Sequence, residues 1–224
     1  MRGHPMKITT ALAALKAASV LLVAGSAVAA AATPAPPPPA GVYGLDKTHT
    51  SVTFRVSHMG FSHYTARFSR IDGKLAFDPA RPAGMSVEAS LDPLSLELNA
   101  PPAGFHDQMM SKAWFDAAAF PAITFKSTKV EPTGANAAKV TGNLTLHGVT
   151  KPMVLDVTYN GGYPPTSFDP GGRVGFSAHG VFRRSAYGMG AGIPAPGSNL
   201  GVGDEVDVAI ETEFSQKVAA PARK

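Results

Sequence analysis

The sequence predicts an all-β domain, and two observations carry that prediction. Apolar residues recur at every second position from Val42 onward, and turn-forming residues punctuate those runs at short intervals. A chain of 224 residues suits one such domain with a sizeable core.

Ahead of that domain come basic residues Arg2, Lys7 and Lys16, then an uncharged, alanine-rich run over 17–32 that ends in small residues such as Ala27 and Ala29. This pattern predicts a cleavable secretory signal peptide over 1–32, since the run falls short of the ~20 apolar residues that a spanning helix needs. Residues 33–41, TPAPPPPAG, form a proline-rich linker, because proline lacks an N–H and fixes φ. The barrel domain is expected over 42–217, with a flexible tail at 218–224. Removing Arg2, Lys7 and Lys16 from the 20 basic residues leaves 17 against 16 acidic ones. The mature part therefore has no basic stripe to bind nucleic acid through counterion release. With no cysteine, disulfides, thiolate metal sites and thiol nucleophiles are excluded, and core burial has to stabilise the fold.

The strands follow in order. Val52, Phe54, Val56 and His58 share one face of the first clear strand, opposite Ser51, Thr53, Arg55 and Ser57. Strand segments follow near 68–77, at 85–91 (Met85, Val87, Ala89, Leu91), near 122–130, and at 139–147 (Val140, Leu144, Leu146). Three more come from Met153, Leu155, Val157 and Tyr159, from Val174, Phe176, Ala178 and Phe182, and from Val206, Val208, Ile210, Thr212 and Phe214. Turns are marked by Asp72-Gly73, Asp78-Pro79, Thr133-Gly134, Gly161-Gly162 and Gly171-Gly172. Segment 103–115 breaks the pattern, with Phe105 and Met109 at helical spacing, and predicts a short helix across one end of the sheet. One-face alternation over about eight strands implies either a closed antiparallel barrel or a two-sheet sandwich.

Candidate chemistry is sparse. His49 and His58 stand at opposite ends of one strand, ~30 Å apart at strand rise, so they cannot share an ion; His58 and His63 could meet across a turn. A strand-end role is the expectation for these histidines, and no metal site is predicted. No G-x-S-x-G elbow occurs, and Glu88, Asp92 and Glu97 qualify as catalytic carboxylates by residue type only. Asp46 is expected to satisfy backbone groups at the entry to its strand.

Five stretches in order resemble the YceI-like family of lipocalin-like, polyisoprenoid-binding proteins. They are Asp46-Lys47-Thr48-His49 with Ser51 to Gly60; Trp114-Phe115-Asp116 with Phe120-Pro121 to Thr128; Val140 to Pro152; Arg184-Ser185-Ala186-Tyr187-Gly188-Met189; and Val202-Gly203-Asp204-Glu205-Val206. The resemblance spans nearly all of 43–215. It implies an eight-stranded antiparallel lipocalin-like barrel with a short helix near one end, an internal tunnel for an isoprenoid, fatty-acid or fatty-amide chain, and a periplasmic address. Ala186 stands where the family usually has an acid, and the Gly- and Pro-rich segment 188–203 has no assignable pattern.

On this reading Phe54, Val56, Phe68, Trp114, Phe125 and Phe176 contact the lipid, although any small barrel would need such aromatics as plain core. Met59, Phe61, Tyr187 and Met189 are expected at a tunnel mouth, because apolar loop residues beside glycine otherwise lack a reason to be there. His49, His106, Asp107, Arg184 and Ser185 are candidates for the lipid head group. About fifteen to twenty buried carbons offer ~12–16 kcal/mol against association costs of ~4–15 kcal/mol, so apolar burial alone suffices. No cofactor is implied beyond a bound isoprenoid or fatty-acid-like lipid, and no catalysis is expected. A packed barrel acting as an interaction or stress-protective module, and an enzyme acting on a lipid or quinone, are the alternatives. A transient contact with a membrane or membrane protein, and a homodimer, stay open.

Overall fold

The computed structural model describes residues 36–216. The expected leader at 1–32, the first residues of the linker and the tail at 218–224 lie outside the described residues.

Eleven strand segments build eight staves. β1 (Gly41–Leu45) and β2 (Ser51–His58) form one strand broken by a bulge at 46–50. β3 (Ser62–Phe68) and β4 (Ile71–Phe77) form the next, and β5 (Ser86–Leu91) with the short β6 (Leu96–Glu97) the third. β7 (Ile123–Pro132), β8 (Ala137–Leu146), β9 (Val149–Tyr163), β10 (Arg173–Arg183) and β11 (Val202–Ser215) follow. Each stave pairs antiparallel with its sequence neighbours, and β11 closes the ring on β1 and β2. The result is an eight-stranded antiparallel barrel, the architecture that the resemblance implied.

Closure leaves two ends. The connections after β2, β6, β8 and β10 gather at a loop end, and those after β4, β7 and β9 at a turn end. The helix α1 (Phe105–Met110) belongs to the loop end and is shorter than the 103–115 expected. Ser111 stops it: its hydroxyl donates to the Gln108 carbonyl at 2.7 Å, and the chain folds back so that Phe115 N–H reaches the Met109 carbonyl. The return sets Phe115 edge-on to Phe68, with centroids 5.7 Å apart.

The described part of the proline run lies on the barrel instead of standing free. Pro38 is buried, the Tyr43 hydroxyl donates to the Pro39 carbonyl at 2.7 Å, and β1 already begins at Gly41.

The alternation read from the sequence is the inside of the barrel. Inward residues form two clusters: one nearer the loop end around Phe68, Phe125, Leu144 and Leu155, the other nearer the turn end around Tyr43, Phe77, Val174 and Phe214. Two inward glycines admit neighbours that a side chain would displace. A Cβ on Gly142 would strike the Phe125 ring, and one on Gly180 would come within 2.6 Å of Met153 Cε and 2.7 Å of Leu155 Cδ2.

Candidate binding cavity

The two clusters do not fill the interior. A cavity of about 940 Å³ runs between them, lined by residues from every stave. Val52, Phe54, Val56 and His58 of β2, Met153, Leu155, Val157 and Tyr159 of β9, and Val206, Val208, Ile210, Thr212 and Phe214 of β11 all face it. Its wall includes exposed residues at both ends. Pro79, Pro82, Asn136 and Ala137 lie at the turn end, and Asn99, Ala100, Pro101 and Pro102 at the loop end.

The wall is almost wholly apolar. Among the described residues, Arg184 is the only wall residue with a permanent charge. It is 4 % exposed, and nothing acidic pairs with it. Instead Nε donates to the Gly203 carbonyl at 2.9 Å, Nη1 to those of Met189 and Ala191 at 2.7 and 2.8 Å, and Nη2 to that of Val202 at 2.7 Å. Desolvation by burial lowers its pKa, and Asp204 opposes that from a distance. These bonds tie the glycine- and proline-rich segment 188–201, which has no regular structure of its own to keep its carbonyls satisfied, to the first residues of β11.

The expected lipid contacts divide cleanly. Phe54, Val56, Phe68, Trp114, Phe125, Phe176 and Met189 are on the wall; Met59, Phe61 and Tyr187 are not. Met59 sits in the tight β2–β3 turn with φ 54°, its N–H given to the Gly201 carbonyl. Phe61 is at the tip of that turn and points to solvent, 86 % exposed. Tyr187 is buried behind the wall, edge-on to Phe182, and its carbonyl bonds His147 Nδ1 at 3.1 Å.

Of the head-group candidates only Arg184 reaches the cavity. Ser185 is exposed and donates both its N–H and its hydroxyl to the Asp204 carboxylate, each at 2.8 Å. His106 and Asp107 are on α1, with the Asp107 side chain 93 % exposed. His49 lies at the 46–50 bulge, away from the interior.

That bulge has its own network. Arg173 Nη1 stands 2.6 Å from both Asp46 Oδ2 and Glu213 Oε2, and 3.3 Å from His49 Nδ1. Its Nε reaches Asp169 Oδ2 at 3.2 Å, and Tyr163 donates to the same oxygen at 2.8 Å. Asp46, His49 and Glu213 converge closely enough to hold a metal ion, but the guanidinium occupies the centre of that group and supplies the countercharge. Asp46 also accepts the Thr48 N–H at 2.9 Å, as expected of a strand-entry aspartate. Burial pushes its carboxyl up, yet hydrogen bonds from Thr48, His49 and Arg173 outweigh that and hold it well below the usual carboxylate range. His58 and His63 are not brought together. The register pairs His58 with Ser62 and Ser57 with His63, so the two imidazoles leave opposite faces of the sheet.

Sequence reasoning missed Tyr64, Leu98, Phe105 and the stretch 99–102, all on the wall. Tyr64 and Phe105 were legible in type, but only the closed topology shows that the segment after β6 crosses the barrel opening.

A closed up-and-down barrel with a hollow apolar interior is a lipocalin-like binding barrel. The chain belongs to the YceI-like family, whose domain model matches residues 43–214. It is 36 % identical over 182 residues to the UPF0312 protein of Pseudomonas savastanoi pv. phaseolicola, covering 80 % of this chain and 88 % of that one. Among solved structures, BcnA of Burkholderia cenocepacia is similar with a TM-score of 0.64 and 26 % identity, over 75 % of this chain and 98 % of that one. The polyisoprenoid-binding domain from Saccharophagus degradans, implicated in plant cell wall breakdown, shares the fold. Its TM-score is 0.57 at 17 % identity, over 78 % of this chain and 98 % of that one.

Proposed function

We propose that this barrel is a non-catalytic carrier that holds one long-chain lipid, a polyisoprenoid, fatty acid or fatty amide, for transport or storage in the periplasm. The observation that carries the reading is the apolar cavity of about 940 Å³. At roughly 30 Å³ per heavy atom, the share a water takes in the liquid, it has room for about thirty carbons. Burying such a chain supplies ~0.8 kcal/mol per methylene, which exceeds the association cost without polar contacts. The fold shared with the polyisoprenoid-binding domain from S. degradans makes prenyl chains the first ligands to test. Arg184 is the group on the wall that would orient a polar head, and its one uncommitted Nη2 hydrogen is available to an acceptor on the ligand. The wall side chains include no carboxylate, among the described residues, which favours holding a ligand over transforming it. The periplasmic address is supported by the leader pattern at 1–32.

Native mass spectrometry of freshly purified protein is expected to show a lipid adduct. Phe54→Asp, which places a charge on the wall, and Ala178→Trp, which fills the cavity without one, should each remove it. Protein that emerges unliganded and takes up no prenyl or acyl lipid when re-exposed to it would sink the reading.

A further inference from the structure

We propose that the loop end of the barrel docks on a lipid bilayer through three charge-free segments tipped by Phe61 and Leu200. Besides α1, which carries the exposed Asp107, and the β8–β9 turn, the topology gathers three segments at this end that form the rim: 59–62 between β2 and β3, 98–105 after β6, and 185–201 between β10 and β11. None of them contains an Asp, Glu, Lys, Arg or His. The segments touch one another or the same strand. Met59 N–H donates to the Gly201 carbonyl at 2.8 Å, and Asn99 gives its N–H to the Tyr64 hydroxyl at 2.9 Å and its Nδ2 to the Thr65 carbonyl at 3.0 Å.

Phe61 is 86 % exposed and Leu200 74 %, on loops that meet through the Met59–Gly201 bond. Two large apolar side chains at neighbouring tips, on loops that carry no charged residue, mark an interaction site. The same rim borders the cavity, because exposed Asn99, Ala100, Pro101 and Pro102 lie on its wall.

The chemistry of the rim selects the partner. A tip without charges can enter the boundary between head groups and acyl chains of a zwitterionic bilayer with no ion left unpaired. A polybasic rim would instead have indicated anionic head groups. Choosing a bilayer over another apolar surface rests on the lipid reading of the cavity, since cargo of that kind is taken up from membranes. The turn end lacks this character. Its exposed Phe168 packs on Tyr163 at 5.8 Å, beside the Asp169–Arg173 ion pair.

The chain has no cysteine, so F61C, L200C and F168C can each carry one environment-sensitive fluorophore in the full-length protein. With phosphatidylcholine vesicles brominated along their acyl chains, the probes at 61 and 200 are expected to be quenched and the probe at 168 to stay bright. Adding Phe61→Asp to the L200C protein should cut its quenching by about tenfold. Quenching at 168 as strong as at 61, or none at 61 and 200, overturns the proposal. So does a concentration-dependent spectral shift without vesicles, which would give the rim to a second copy of the chain. Cargo is read separately by native mass spectrometry. A protein that carries lipid but shows no quenching loses the docking site alone, and one that is quenched at the rim but carries no lipid loses only the carrier reading.

Discussion

The guanidinium of Arg184 lies 5.3 Å from the centre of the Trp114 ring while its N–H groups serve four backbone carbonyls. Trp114 and the carbonyl dipoles together do what a carboxylate does elsewhere: they make a buried cation tolerable. Arg184→Met should therefore lower stability by about 3 kcal/mol or more in urea unfolding, because the carbonyls of 189–203 are left without donors. Arg184→Lys, which keeps the charge but loses the fork, should recover only part of that. A lysine variant as stable as wild type would show that charge alone matters.

Gly142 and Phe125 form a second exacting pair. Because a Cβ at 142 would strike the ring, Gly142→Ala should destabilise the barrel by about 1–3 kcal/mol through overpacking, measured as a lower midpoint of denaturation. Combining it with Phe125→Leu should restore only part of the loss, because the Lys126 carbonyl would still lie 2.7 Å from the new Cβ.

Acid should attack the 46–50 bulge first. The Asp46 carboxyl is held below its ordinary value of 3.8, so its stabilising contribution is complete above about pH 4 and is lost as pH falls further. Asp169 shifts the same way, through the Tyr163 hydroxyl first and then Arg173. Melting temperatures should show little effect of this network between pH 7 and pH 5 and a steep decline below about pH 4. Arg173→Gln should flatten that decline and lower stability at neutral pH.

The outer face carries weaker charges. Asp207 lies 3.1 Å from His179 Nε2 and 3.3 Å from Arg55 Nη2, and the His179 hydrogen bond leads the causes that lower its pKa. Water screens this group, so Asp207→Asn should cost less than about 1 kcal/mol. A larger loss in chemical denaturation would mean that the belt across β10, β11 and β2 acts as a unit.

The strands were legible because a sheet with one buried face writes its period of two into the chain, as in Val206, Val208, Ile210, Thr212 and Phe214. Whether that face was packed or hollow was not, since Phe54 or Phe176 would look the same in either interior. Loop residues were hardest to place. Met59, Phe61 and Tyr187 are all apolar beside glycine, and the sequence offers no way to tell a turn residue, an exposed tip and a buried support apart. Arg184 was found by motif, but its role as the clamp of 188–203 depends on carbonyls that no residue type reveals.

One seam of the barrel is short. β5 pairs with β7 only from Glu88 opposite Lys126 to Leu91 opposite Ile123, after which β7 pairs with β8 alone. A bare strand edge of this kind invites another chain to add to it, the first step of aggregation. Here the edge shows Lys129 and Glu131, ion-paired at 2.7 Å, and then Pro132, which has no N–H to offer. Charge and proline make this edge a poor template for another strand.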